Sequence, residues 1–219
     1  LHLLKQSSGI FNSRTPRLIL ENTNHRVISI NLMHLILVGH SHSGVKSWRA
    51  MSYSPETEAF YIPLTLNCQR TVYSDVEWRE GGGGNGMVAR ENFIHPGSDG
   101  NLGEFVAMHV SGEILWSHRK RTPYISASLT TAGGLAFVGT FDRAAYAYDV
   151  RTGEQLWETR LPTSVQGFPV TYAVDGRQYV AIGAGTGGGS WTTIPLELTP
   201  EKRRPNAGNG LFVFALPDR

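Results

Sequence analysis

The sequence predicts an all-β fold, a partial β-propeller of about three blades, and three observations carry that expectation. Composition is the first. Of 219 residues only 17% are charged, against a usual ~25%, while 25 are Gly, about 11% against ~7%. Low charge, many glycines, 8 Tyr and 9 Phe suit short strands and frequent turns. The second is rhythm: from Trp48 onward, short β-rich runs alternate with bends built on Gly or Asp, with no amphipathic helix longer than a turn or two. The third is repetition. Ser111-Gly112-Glu113-Ile114-Leu115-Trp116-Ser117-His118-Arg119 and Thr152-Gly153-Glu154-Gln155-Leu156-Trp157-Glu158-Thr159-Arg160 share Gly, Glu, Leu, Trp and Arg at a constant offset of 41 residues, as between Gly112 and Gly153. A period of ~40–50 residues with four strands per unit is the propeller signature. Each blade buries its faces only against its neighbours. A Trp repeated once per blade fills the gap between sheets, and the Gly permits the tight turn into the outermost strand.

The elements follow in order. Residues 1–40 lack a strand-turn rhythm; only Leu35–Val38 reads as a buried strand, so 1–40 forms an irregular or non-native leading segment and 41–219 the blades. Ala59–Ile62 is a strand after the turn Ser54-Pro55-Glu56-Thr57, and residues 67–100 read as a long loop carrying Gly81–Gly84. Phe105–Val110 and Ile114–Arg119 make a hairpin around Ser111-Gly112. Ser126–Thr131, Leu135–Gly139, Ala144–Asp149 and Gln155–Arg160 make a second blade. Val170–Val174, Tyr179–Ala184 and Leu211–Leu216 make most of a third. A closed ring needs about four to eight blades, so the chain reads as a fragment that requires the remaining blades of the same polypeptide.

Several chemistries are excluded or disfavoured. A net charge of 20 − 18 = +2, without a basic run, gives no nucleic-acid footprint. A single cysteine, Cys68, excludes an internal disulfide or a multi-thiolate zinc site, and reads as a small, partly buried thiol. The apolar stretch Leu32–Val38 is far shorter than the ~20 residues of a membrane helix. Gly81–Gly84 lacks the Lys-Ser/Thr that a phosphate loop needs. His40-x-His42 has no evident third metal ligand. Arg90, Glu91, His95 and Asp99 read as a solvated loop, and Asp142-Arg143 as a local turn. The exact repetition of Trp116 and Trp157 assigns both to blade packing.

Other segments carry a resemblance. The Trp-centred repeats, Thr131-Ala132-Gly133-Gly134-Leu135, Met51-Ser52-Tyr53-Ser54-Pro55 and Tyr172-x-Val174-Asp175-Gly176-x-Gln178-Tyr179 resemble the carboxy-terminal part of pyrroloquinoline-quinone (PQQ)-dependent alcohol and sugar dehydrogenases, over roughly residues 44–216. That resemblance implies an eight-bladed propeller with the quinone on its axis and a Ca²⁺ or lanthanide ion as Lewis acid. It implies oxidation of an alcohol, polyol or sugar hydroxyl, electron transfer to a cytochrome or quinone acceptor, and a periplasmic or membrane-associated location facing the periplasm. The family's Gly-Gly-Lys-Asn-Trp reads here Gly44-Val45-Lys46-Ser47-Trp48, and its Gly-rich stretch ending in Trp reads Gly187-Gly188-Gly189-Ser190-Trp191. Ser47, Trp48 and Trp191 are therefore the expected cofactor contacts. Ser47 replaces an amide with a shorter hydroxyl. The catalytic Asp and the metal ligands are expected upstream, so the isolated chain is expected to be inactive. The rival reading is a non-enzymatic propeller scaffold in envelope protein assembly, which would need neither Lys46-x-Trp48 nor Trp191.

Overall fold

A computed structural model describes residues 28–29, 35–40, 45–46, 48–73, 80–82, 86–185, 193–202 and 208–215, the first two stretches for backbone only. The chain divides into two compact units, one drawn from residues 1–42 and 68–93, the other from 43–67 and 94–219.

Among its described residues the second unit holds three antiparallel sheets. In the first, β3 (Ser52–Ser54) and β4 (Ala59–Thr65) join β7 (Gly103–His109) and β8 (Ile114–Lys120) in the order β3-β4-β7-β8. In the next, β9 (Leu129–Thr130), β10 (Leu135–Gly139), β11 (Ala144–Asp149) and β12 (Gln155–Arg160) follow one another across the sheet. The last has three described strands, β13 (Val170–Val174), β14 (Arg177–Ala184) and β15 (Gly210–Ala215). A short helix, α1 (Thr193–Leu198), lies in the excursion between β14 and β15.

Strand β11 shows how the sheets stack. Successive side chains leave a strand on opposite faces. Ala144, Tyr146 and Tyr148 enter one core cluster with Tyr61, Phe105, Trp116 and Tyr124. Ala145 and Ala147 enter another with Phe137, Leu161, Val165, Val180 and Ile182, against which Trp157, Phe212 and Phe214 pack. A sheet apolar on both faces is what a blade needs on each side.

The Trp repeats share a further feature. Ala107 faces Trp116 while Met108 faces Ile114, so Leu115 is an extra residue on β8. Ala147 faces Trp157 while Tyr148 faces Gln155, which makes Leu156 extra on β12. A β-bulge at the same place in both repeats turns the leucine out, where it is exposed, and the indole in. Trp116 donates its Nε1–H to the Val150 carbonyl at 3.0 Å. Its ring covers Gly153, whose φ is +73°; a Cβ there would stand 2.7 Å from the indole Cγ. The repeated Gly thus serves both the turn and the close approach of the ring.

The first unit carries a difference from the sequence reading. Residues 67–100 are not one loop. They contain β5 (Asn67–Tyr73) and β6 (Met87–Ile94), which join β1 (Ile28–Ser29) and β2 (Leu35–His40) in the order β1-β2-β5-β6. The strands lack a hydropathy signal because their contacts are polar. Gln69 donates to Asn92 at 2.9 Å, Thr71 donates to Gln69, and Arg70 pairs with Glu91. Gln69, Thr71 and Asn92 are nevertheless buried. A shorter difference concerns Ser126–Thr131, of which only Leu129–Thr130 pairs with β10. The preceding residues bond elsewhere, as described next.

Candidate functional site

Three segments of the second unit are sutured by backbone bonds. Thr65 N–H donates to the Val45 carbonyl, Ser128 N–H to Ala50, Ala127 N–H to Gly167, and Gly167 N–H to Gly183. Gly167 is required by proximity: a Cβ there would meet the Gly183 carbonyl oxygen at 2.5 Å. Ser128 strengthens the suture, accepting from Ser52 N–H at 2.8 Å and donating to the Tyr61 carbonyl at 2.7 Å.

On this frame Trp48 and Phe168 stand against each other, ring centroids 5.9 Å apart and tilted by 38°. Both are open to solvent, at 55% and 51% exposure. The neighbouring Arg49 is buried. Its Nη1 donates to Thr65 Oγ1 and to the Tyr124 carbonyl, each at 2.8 Å. Desolvation pulls its guanidinium down to about 10, so it stays charged at neutral pH. Among the described residues, both amide atoms of Asn67, Thr163 Oγ1 and Gln166 Nε2 are buried and meet no hydrogen-bonding partner. Native proteins leave few such atoms unpaired, because each costs about 1–3 kcal/mol. An exposed indole face offers a flat apolar surface to a planar group.

Of the three expected cofactor contacts, Trp48 is thus an exposed aromatic on a rigid frame. Ser47 and Trp191 lie outside the described residues, as do Gly187–Ser190, His42 and the His40 side chain. Among the described residues no group of three or more His, Cys, Asp or Glu could hold a metal ion. Arg49, Asn67, Gln166 and Phe168 escaped the sequence reading. Phe168 had one usable signal, an aromatic ring set between Gly167 and Pro169 ahead of a strand.

Other titratable groups read as structural. Tyr124 and Tyr148 share a 3.2 Å hydroxyl contact. Burial raises both, Tyr148 to about 12, so neither is a base at neutral pH. Asp142 accepts from Thr122 and Thr140 and faces Arg160, which makes it the anchor of a turn. Cys68 is buried, and desolvation raises its thiol, which keeps it protonated.

Comparison with known proteins bears on this geometry. The profile of the "Glucose/ethanol/alcohol dehydrogenase, beta-propeller domain" family matches residues 99–180. Its match takes in both Trp repeats. The relatives of this chain are quinoprotein alcohol dehydrogenases. A quinoprotein ethanol dehydrogenase of Pseudomonas aeruginosa is 34% identical over 80% of this chain and 27% of its own length. A lanthanide-dependent methanol dehydrogenase of Methylacidiphilum fumariolicum is 32% identical over 78% of this chain and 28% of its own. Among solved structures, a europium-containing methanol dehydrogenase superposes with a TM-score of 0.67 at 28% identity, covering 80% of this chain and 34% of that one. The quinohemoprotein alcohol dehydrogenase of Comamonas testosteroni gives 0.58 at 27% identity, covering 78% and 26%. This chain spans about a quarter of the length of the curated relatives it matches. Its fold is part of a β-propeller.

Proposed function

We propose that residues 41–219 are carboxy-terminal blades of a PQQ-dependent dehydrogenase that oxidises an alcohol, polyol or sugar hydroxyl. The protein acts in the periplasm and passes electrons to a cytochrome or quinone acceptor. The observation that carries this reading is the match to quinoprotein dehydrogenases over 80% of the chain, which includes Trp48 on its sutured frame. The quinone, polarised by Ca²⁺ or a lanthanide, would accept the hydride equivalent from the alcohol carbon.

This chain's own residues bind and orient. Trp48 offers an apolar face to a flat ring. Arg49 adds buried positive charge next to it, which favours an anionic ligand. Ser47 and Trp191 complete the contacts by their place in the sequence. None of these moves a proton. The proton-abstracting and metal-binding residues belong to blades outside these 219 residues, so the isolated chain does not turn over alcohol.

The test is reconstitution of the full-length protein with PQQ and either Ca²⁺ or La³⁺, followed by alcohol-dependent dye reduction. Activity that requires both quinone and metal supports the reading. A full-length protein that neither binds quinone nor oxidises any alcohol would leave it without a basis, and full turnover by residues 1–219 alone would contradict the division of labour.

A further inference from the structure

We infer that Arg121 is a positioning residue for quinone binding: it holds α1 in place and thereby bounds the reach of Trp191, which stands two residues before that helix in the chain. The inference rests on the reading above, in which Trp191 contacts PQQ, and adds a residue that acts only through another.

The helix cannot place itself. Thr193–Leu198 is six residues long, well under the ~12 that an isolated helix needs even for marginal stability. Its position is therefore set by what it docks on. Ile194 and Pro195 are buried, and Thr199 bonds back to the Pro195 carbonyl through both its N–H and its hydroxyl. The last carbonyls of a helix lack partners inside it, and a cation suits that end. Arg121 meets both needs, since its Nη2 donates to the Leu198 carbonyl at 2.9 Å.

Arg121 does more than cap. Its Nε and Nη2 face the two carboxylate oxygens of Glu201 at 2.7 and 3.2 Å, a two-armed pairing that fixes direction as well as distance. Its Nη1 donates to the Gly100 carbonyl at 3.0 Å, and its own carbonyl accepts from Leu102 N–H, so the fork is braced on the loop that enters β7. A lone surface ion pair fixes little, whereas a planar fork with all three nitrogens engaged has one orientation. Lys202, next to Glu201, faces Asp142 in the β10–β11 turn at 3.9 Å and adds a second, weaker tie.

The end of the first sheet that carries Arg121 also carries Trp48. Thr65, Gly103 and Lys120 are partners across that end, and Arg121 follows Lys120. Thr65 donates its N–H to Val45 and accepts from Arg49 at its Oγ1, which brackets Trp48 in the chain. Two residues span no more than about 7 Å, so anchoring Thr193 limits where Trp191 can contribute. Releasing α1 would leave Trp48 on its frame and loosen only the partner contact.

The experiment is titration of the apo full-length protein with PQQ at fixed Ca²⁺, read by quenching of protein fluorescence, over Arg121→Ala, Trp191→Ala and the double variant. Arg121→Ala is expected to weaken binding roughly tenfold in the parent but less than about twofold in the Trp191→Ala background, where nothing is left to position. Glu201→Gln, at an exposed carboxylate, removes the charge pairing but keeps the helix cap; it should weaken binding roughly threefold and carries the test if Arg121→Ala does not fold. Arg121→Lys keeps the charge without the fork and should recover only part of the affinity. Melting midpoints of Glu201→Gln and the parent without quinone should agree within about 2 °C, which separates positioning from folding. Parent affinity in both Arg121→Ala and Glu201→Gln would overturn this inference and leave the proposed function standing. So would an equal loss from Arg121→Ala in both Trp191 backgrounds, or parent affinity in Trp191→Ala. A parent with no saturable quinone binding would remove the proposed function and this inference with it.

Discussion

The two Trp repeats share a sequence motif and a bulge, but they are packed to different depths. Trp116 is 9% exposed, bonded through its indole N–H and pressed on Gly153. Trp157 is half-buried and meets Phe214 edge-on at 5.1 Å and Phe137 at 6.3 Å. The difference comes from what each ring finds on the next sheet. The second sheet offers Trp116 a turn glycine, a carbonyl and the ring of Tyr148, beside Tyr61 and Phe105 of its own sheet. Trp157 meets Phe214 of the third sheet and Phe137 of its own, and among the described residues no glycine lies against its ring. A repeated residue is therefore only as structural as the neighbour that receives it.

Substitutions can break or sharpen this comparison. Trp116→Ala should have the largest effect, about 3–5 kcal/mol of stability in the full-length protein, measured by denaturant unfolding. Gly153→Val comes next at roughly 2–4 kcal/mol, since it combines a left-handed backbone with a collision against the indole. Trp157→Ala should cost only about 1–3 kcal/mol, in line with its partial burial. If the two Trp variants unfold at the same denaturant concentration, burial depth is not what separates the repeats. Gly112 isolates the backbone part of the glycine's role: it has φ +92° with nothing within 4 Å of a Cβ, so Gly112→Ala should cost about 1–2 kcal/mol.

The smallest effect belongs to Asp149, whose carboxylate accepts from the Thr152 and Arg151 backbone N–H groups. The Thr152 bond leads in holding its carboxyl below the usual range. A carboxyl depressed on folding stabilises the fold above the unfolded pKa of ~3.9, and that contribution disappears as pH falls through the lower folded value. Asp149→Ala should cost a few tenths of a kcal/mol at neutral pH, discounted for exposure, and nothing at pH 2. Melts at both pH values check it; an equal loss at both would assign the effect to packing.

The parts of the fold that repeat were legible in the sequence, because a 41-residue offset with a Trp in register needs no hydropathy signal. Strands β10, β11, β12 and β14 were legible for the ordinary reason that apolar residues cluster between turns. Strands β5 and β6 were not, since their buried face is Gln69, Thr71 and Asn92, which pattern reading treats as solvent-facing. At the candidate site the Lys46-x-Trp48 context drew attention to Trp48, which the structure shows exposed and against Phe168. Phe168 was not, because only the three-dimensional fold brings its ring against Trp48, beside a backbone tied through Gly167 to Ala127 and Gly183.

The bulges at Leu115 and Leu156 have a consequence at the rim. Strands β8 and β12 are the last of their sheets, and each would otherwise offer a straight row of N–H and C=O groups to a passing strand. One extra residue breaks that row, and the charges of Arg119, Lys120, Glu158 and Arg160 make the margin repellent. Among the described residues strand β15 has neither protection. Its pairing with β14 runs without a shift from Gly210 to Ala215, and it turns Leu211 and Val213 outward. Self-association between molecules should therefore start at this margin, with the bulged rims of the other two sheets left clean.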